Sequence, residues 1–405
     1  MTNPAFLTNQ DIVELVDWRR KLHTMPELSG EEEMTAREVC AFIVPTNPDQ
    51  LITGLGGHGV AAMYEGAEPG PTILFRSELD ALPIEELTAV PHRSKVSGKG
   101  HLCGHDGHTA TLAAMARGLG RQRPKRGRAV LLFQPAEENG AGAAAVVRDP
   151  KFKAIQPDLS FAYHNMPGIR LGHVALDEGP VNCASRGIRI VLKGKTAHAS
   201  MPETGTSPMP ALARLMPALT SLSHGTPPAK NFSLVTVTHA TMGAAAFGIA
   251  PGRAELWATL RSLTDARMET LVAQAERLAR QVARNAGLSV EISNEDNFAH
   301  CENAPEAVAH LRRALDAEGV THDLGDLPFR GSEDFGQFGK TRPAAMFFLG
   351  AGETCPSLHN PDYDFPDDLI AIGARVMMRT ARDLLGQASG CPSTKMSNTD
   401  CRQLT

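Results

Sequence analysis

Four short apolar runs constrain the fold most: Thr72-Ile73-Leu74-Phe75-Arg76, Ala129-Val130-Leu131-Leu132-Phe133-Gln134, Phe161-Ala162-Tyr163 and Ala344-Ala345-Met346-Phe347-Phe348-Leu349-Gly350. Runs this short and this uniformly apolar suit strands covered on both faces, as in an α/β sheet. Each run delivers polar residues able to do chemistry. Ser77-Glu78-Leu79-Asp80 follows the first, Pro135-Ala136-Glu137-Glu138 the second and His164 the third, while Ser357-Leu358-His359 comes a short loop after the fourth. Open α/β sheets place their sites just beyond the carboxyl ends of the strands. One acidic residue there is usually a turn former, but Glu78 and Asp80 at alternate positions are a better candidate for chemistry. Adjacent carboxylates such as Glu137 and Glu138 repel each other unless a cation or proton intervenes.

Between the first two runs lies Gly100-His101-Leu102-Cys103-Gly104-His105-Asp106-Gly107-His108, which opens a helix expected from Thr109 to about Leu119. Cys and His hold borderline-soft metals. Cys103 and His105, two apart, would share one face of an extended segment. Taken alone the stretch also reads as a glycine-rich loop with a small buried Cys. The carboxylates and histidines arriving at the other strand ends tip the balance. Cys103, His105, Glu137, Glu138, His164 and His359 together offer five ligands and one spare carboxylate, which is what two adjacent metals and a general base require. His23, at the end of a first helix from Thr8 or Asn9, reads from its own context as a surface residue.

Composition excludes several classes. A net charge of −5 gives no general attraction for nucleic acid or anionic lipid, and no apolar run approaches the roughly 20 residues of a membrane span. Met1 to Gln10 lacks the basic and apolar regions of a secretory signal, and seven scattered cysteines do not read as a disulfide framework. A reducing cytoplasm is the expected location. A chain of 405 residues exceeds one ordinary core, so two domains are expected. From Gly187 the pattern changes to strand, helix, two strands, a long helix from about Asp265 to Ala286, and a strand, the order of a ferredoxin-like split βαβ unit. The fold expected is therefore α/β: a mixed-sheet catalytic domain over residues 1–186 and 297–386, with an inserted ferredoxin-like βαββαβ domain over 187–296. Residues 387–405, rich in Ser, Thr and Gly, are expected to be a disordered tail.

These motifs, in this order, resemble the amidohydrolase branch of the aminoacylase/carboxypeptidase superfamily of di-metal peptidases, which holds hippurate hydrolases and auxin-conjugate hydrolases. The resemblance rests on His23 with Pro26-Glu27-Leu28, Asp80-Ala81-Leu82-Pro83-Ile84, Cys103-Gly104-His105-Asp106-Gly107-His108 and Gln134-Pro135-Ala136-Glu137-Glu138. It continues through His164 with Pro167, Gly194 with His198, Ser332-Glu333-Asp334-Phe335 and Leu358-His359. It implies that Cys103, His105, Glu138, His164 and His359 bind two divalent ions, manganese or zinc, with nickel or cobalt as alternatives. It further implies that Glu137 is the general base and that Asp80 orients the site from behind. Residues 187–296 would be a lid and dimerisation domain, His198 a donor to the tetrahedral oxyanion from the same chain or a partner subunit, and Arg261 the partner of a substrate carboxylate. A homodimer or higher homo-oligomer is implied as well. Glu78 stands where the branch usually has Asp, Glu203 replaces a His, Ser207 an Asp, and Gly248 an Asn.

The expected reaction is hydrolysis of the amide of an N-acyl amino acid to a carboxylic acid and an amino acid. Four alternatives stay open at this stage: a dipeptidase, a deacetylase, a non-catalytic metal-binding relative, and a cysteine hydrolase using Cys103 and His105. The last leaves Glu137, Glu138, His164 and His359 without work.

Overall fold

The computed structural model describes residues 6–388; residues 1–5, and the expected tail from residue 389 onward, lie outside the described residues. The chain divides into two compact units. The larger runs up to Gly179, takes in Glu302–Asp326 and resumes at Asp334; the smaller holds Pro180–Cys301 and Leu327–Glu333.

The larger unit is built on an eight-stranded mixed sheet. Its centre is four mutually parallel strands in the spatial order Arg126–Gln134, Glu68–Glu78, Leu159–Pro167 and Ala344–Gly352. Antiparallel strands Gly59–Glu65 and Gln50–Leu55 extend one side, and the short Val174–Ala175 and His322–Asp323 the other. Ile73 and Phe75 belong to the main core, while Leu74 between them is equally buried and points to the opposite face. Both faces are therefore covered, which is why these strands carry no alternation. Helices Asn9–His23, His105–Arg121 and Asp368–Leu385 pack together over one face, with Leu15, Leu22, Leu112, Met115, Val376 and Met377 in the same core as Ile73 and Phe75. Thr8 caps the first helix, accepting from the Asp11 N–H while Asp11 reaches back to the Thr8 N–H.

Because the four central strands are parallel, their carboxyl ends share one edge of the sheet. Two details differ from the sequence reading. The strand begun at Thr72 does not stop at Arg76 but continues to Glu78, so Arg76 and Glu78 lie within the sheet on one face. The helix expected from Thr109 begins at His105, with Gly104 before it in the left-handed region at φ +92°. Cys103 and His105 are thus not on one extended segment. A Cβ on Gly104 would lie 2.3 Å from Asn165 Oδ1, so both the turn and the close approach require glycine there.

The smaller unit is an antiparallel sheet in the order Ser233–Met242, Arg253–Ser262, Ala184–Lys193 and Ser289–Phe298, with helices Met209–Thr220 and Asp265–Asn285 packed on it. Strand positions Ile188, Ile190 and Leu192 share a core with Leu212 and Leu215 of one helix and Leu271 and Ala275 of the other. Its connectivity and strand order are those of a βαββαβ unit.

Candidate metal centre

At the carboxyl edge of the large sheet, three loops, one helix start and one strand bring six donors together. Donor atoms of Cys103, His105 and His164 lie within 4.8 Å of one another, as do those of Cys103, Glu138 and His359, and those of His105, Glu137 and Glu138. His105 Nε2 is 3.9 Å from Glu137 Oε2 and 3.8 Å from Glu138 Oε1; His359 Nε2 is 3.5 Å from Glu138 Oε2; Cys103 Sγ is 3.5 Å from His164 Nε2.

One of these donors, and the residue that precedes the carboxylate pair, have unusual backbones. Ala136 has φ +52° and His359 φ +66°, a region L-residues other than Asn and Asp rarely enter. The turn at Ala136 swings Glu137 and Glu138 off the strand end, and it is tied down by the Ala136 N–H donating to buried Glu32 and by Gly142 N–H donating to the Ala136 carbonyl. The His359 N–H donates to the Leu102 carbonyl, which fixes that loop to the Cys103 segment. Strain of this kind persists only where surrounding contacts over-determine it, and such residues cluster at functional sites.

The donor set fits divalent cations. His105 Nδ1 donates to the Asp80 carbonyl at 2.9 Å and His164 Nδ1 to the Asn165 carbonyl at 2.7 Å. Each bond fixes the tautomer that leaves Nε2 with its lone pair, the support metal-ligating histidines ordinarily have. His105 Nε2 is buried and has no hydrogen-bond partner, a costly state that a cation would relieve. Burial, with the charges of Glu138 and Glu137, pushes the Cys103 thiol well up, and burial with neighbouring His108 holds His164 well below its ordinary value. Burial opposes charge on His105, but its bond to Asp80 and the charges of Glu78 and Glu138 prevail and raise it to about 10. A bound divalent cation would take the place of the protons that Cys103 and His105 otherwise keep.

Asp80 is buried behind the cluster. Its Oδ2 accepts from the Ser29 hydroxyl at 2.7 Å and from the Glu138 N–H at 2.9 Å while its carbonyl receives His105, so Asp80 contacts both His105 and Glu138. Behind it lies a layer that motif reasoning did not assign. Glu78 receives His108 Nδ1 at 2.7 Å, and His108 Nε2 lies 2.5 Å from Asn165 Oδ1. On the far side of the helix start, Arg19 and His23 both meet Asp106 Oδ2, at 2.7 and 2.8 Å. His23 is therefore not a surface residue: it is fully buried, its other nitrogen 3.2 Å from Glu86. Burial works against its charge, yet Asp106 and Glu86 outweigh that and hold its pKa at about 9. The signal available in the sequence was the spacing of Arg19 and His23, four apart on one helical face.

His198 and Arg261 belong to the smaller unit. His198 is exposed on a two-residue strand paired with Ile249–Ala250, and its Nδ1 accepts from the Ser200 N–H at 3.1 Å, which leaves Nε2–H as the donor. Arg261 Nη1 donates to the Arg330 carbonyl at 2.9 Å and to Ser332 Oγ at 3.0 Å, and burial lowers its pKa.

A parallel-centred sheet with paired carboxylates and Cys/His donors at one edge is a donor set suited to divalent cations. The sequence profile of Peptidase family M20/M25/M40 matches residues 74–383, and the chain belongs to that family. It is a hydrolase of amide bonds. A hippurate hydrolase of Campylobacter jejuni is 30% identical over 366 residues, covering 90% of this chain and 94% of the relative. An N-acetyl-L-cysteine deacetylase of Bacillus subtilis is 31% identical over 399 residues, covering 95% and 91%. Among solved structures, the YXEP protein of Bacillus subtilis, described as a dinuclear metal binding peptidase of the M20 family, superposes with a TM-score of 0.78 at 25% identity, covering 93% of this chain and 99% of that one.

Proposed function

We propose that this protein hydrolyses N-acyl amino acids of the hippurate type, releasing a carboxylic acid and a free amino acid. The observation that carries the reading is the pair of histidines, His105 and His164, each with Nδ1 committed to a main-chain carbonyl and Nε2 turned toward Cys103, Glu137 or Glu138. Cys103, His105, Glu138, His164 and His359 are assigned as ligands of two divalent ions, manganese or zinc. When bound, such ions would polarise the scissile carbonyl and lower the pKa of the attacking water from about 16 toward about 7. Glu137 is assigned as the base that takes a proton from the attacking water and passes it to the leaving nitrogen. Asp80 holds His105 and the Glu138 backbone in place. His198 Nε2–H donates to the developing oxyanion, and Arg261 meets the substrate carboxylate with the edge of its guanidinium not given to Arg330 and Ser332.

In this reading residues 1–186 and 297–386 are the catalytic domain and residues 187–296 act as lid and dimerisation domain of a homodimer. The buried thiol of Cys103 as a ligand suits a reducing cytoplasm. Among the described residues no helix is long and apolar enough to cross a membrane. The relatives named for deacetylation keep short acyl groups in view as substrates.

The test is a panel of N-acyl amino acids and unblocked dipeptides, assayed with metal-loaded protein by detection of released amine. Cleavage of N-benzoyl or N-acetyl amino acids, abolished by chelation, is expected. Cleavage confined to unblocked dipeptides would replace the reading with a dipeptidase.

A further inference from the structure

Arg76 is a fully buried guanidinium in the middle of the catalytic sheet, and none of the roles assigned above uses it. Its three nitrogens reach three acceptors. Nε donates to Gln134 Oε1 at 2.9 Å, Nη1 to Glu78, and Nη2 to Asp334 Oδ1 at 2.5 Å. A buried charge is retained at a cost unless it is paired and its hydrogen bonds are made, and only arginine offers donors in a rigid fork of this span.

The acceptor of interest is Asp334. Its carboxylate receives Gln134 Nε2 at 2.9 and 2.8 Å and the Ala143 N–H at 2.8 Å. Gln134 is the last residue of its strand and Ala143 lies in the first turn of the helix Gly142–Arg148. These two residues are the feet of the loop that carries Glu137. The backbone N–H of Asp334 in turn donates to Glu137 Oε1 at 3.3 Å. One carboxylate thus clamps both ends of the loop, one amide from the same residue holds its acidic side chain, and Arg76 holds the clamp.

We propose that Arg76, acting through Asp334 and Gln134, is a positioning residue that sets the distance of Glu137 from the attacking water. This rests on the reading of Glu137 as general base. Such a base must stand within about 3 Å of the proton it takes, and displacement of about 1 Å by a change elsewhere can reduce turnover about 100-fold. A competing role is open to the same residue. Through Glu78 it touches His108, whose ring lies 4.7 Å from that of His164, so Arg76 could instead support the metal side.

Arg76→Lys in the full-length, metal-loaded enzyme separates these roles, since lysine keeps the charge and loses the fork. On the positioning proposal the variant keeps the metal content of the parent and a KM within about twofold, while kcat falls about tenfold or more. The same substitution in a Glu137→Gln background should change kcat by less than about twofold, because the group it positions is already gone. An equal loss in both backgrounds, an unchanged kcat, or a loss repaired by excess metal would each overturn the proposal. If Arg76→Lys does not fold, Gln134→Met, which removes an uncharged arm, goes through the same cycle and decides by the same outcomes. Should Glu137→Gln alone leave kcat intact, the base assignment fails and this proposal with it. A collapse in Glu137→Gln with an additive cycle removes only the Arg76 role.

Discussion

The carboxyl edge of the large sheet and the His198 strand of the smaller unit hold polar residues under opposite conditions. At the sheet edge His105 and Asp80 are fully buried and Glu137 nearly so. Collecting them there without a cation is costly, so their presence is itself an argument for one. His198 is exposed, and its ring is held by Ser200 two residues away. Leaving it in water costs the fold nothing, so its position argues for no role. Burial makes the first region speak through structure; the second speaks only through rates.

The largest effect expected is that of the cations themselves. Elemental analysis of protein loaded with Mn²⁺ or Zn²⁺ should approach two equivalents per chain, and chelation should abolish turnover and lower the melting temperature, since ligands that bind only the folded state stabilise it. Full activity in protein with reproducibly negligible metal would break the contrast at its root.

Next come the adjacent carboxylates. Glu137→Gln should keep both metals and lose about 100-fold to about 10,000-fold in kcat, the range for a lost general acid–base. Glu138→Gln should instead lose metal occupancy, with partial recovery in excess metal. The reverse pattern would exchange their roles.

His198→Ala is expected to be the mildest of these, about 100-fold in kcat for one oxyanion donor, with two metals bound and an unchanged melting temperature. Mixing it with Glu137→Gln protein sharpens the result. Recovery of activity after subunit exchange means His198 serves the partner's site, and none after demonstrated exchange means it serves its own. Undiminished kcat would remove it from the mechanism.

Much of this could be read from residue patterns. The apolar runs at Thr72 and Ala129 gave buried strands, and the residues beyond them met at one edge because parallel strands all end on the same side. What could not be read depends on distance in sequence. Arg76 closes its apolar run in the sequence with nothing to show its burial, because two of its three acceptors, Gln134 and Asp334, lie 58 and 258 residues away. His23 looked exposed for the same reason, its partners Asp106 and Glu86 being 83 and 63 residues on. The strands Val174–Ala175 and His322–Asp323 are too short to show a period. The helix start at His105 was hidden because its N-cap is a left-handed glycine without a capping side chain, not a Ser, Thr, Asp or Asn.

The carbonyls that receive His105 and His164 belong to the main chain. No codon change can delete a carbonyl. Orientation of these two imidazoles is thus heritable with the sheet itself, protected from point mutation in a way that the side-chain props Ser29, Asp80 and Glu32 are not. Substitution of side chains around the site, Glu78 among them, leaves these two main-chain acceptors in place.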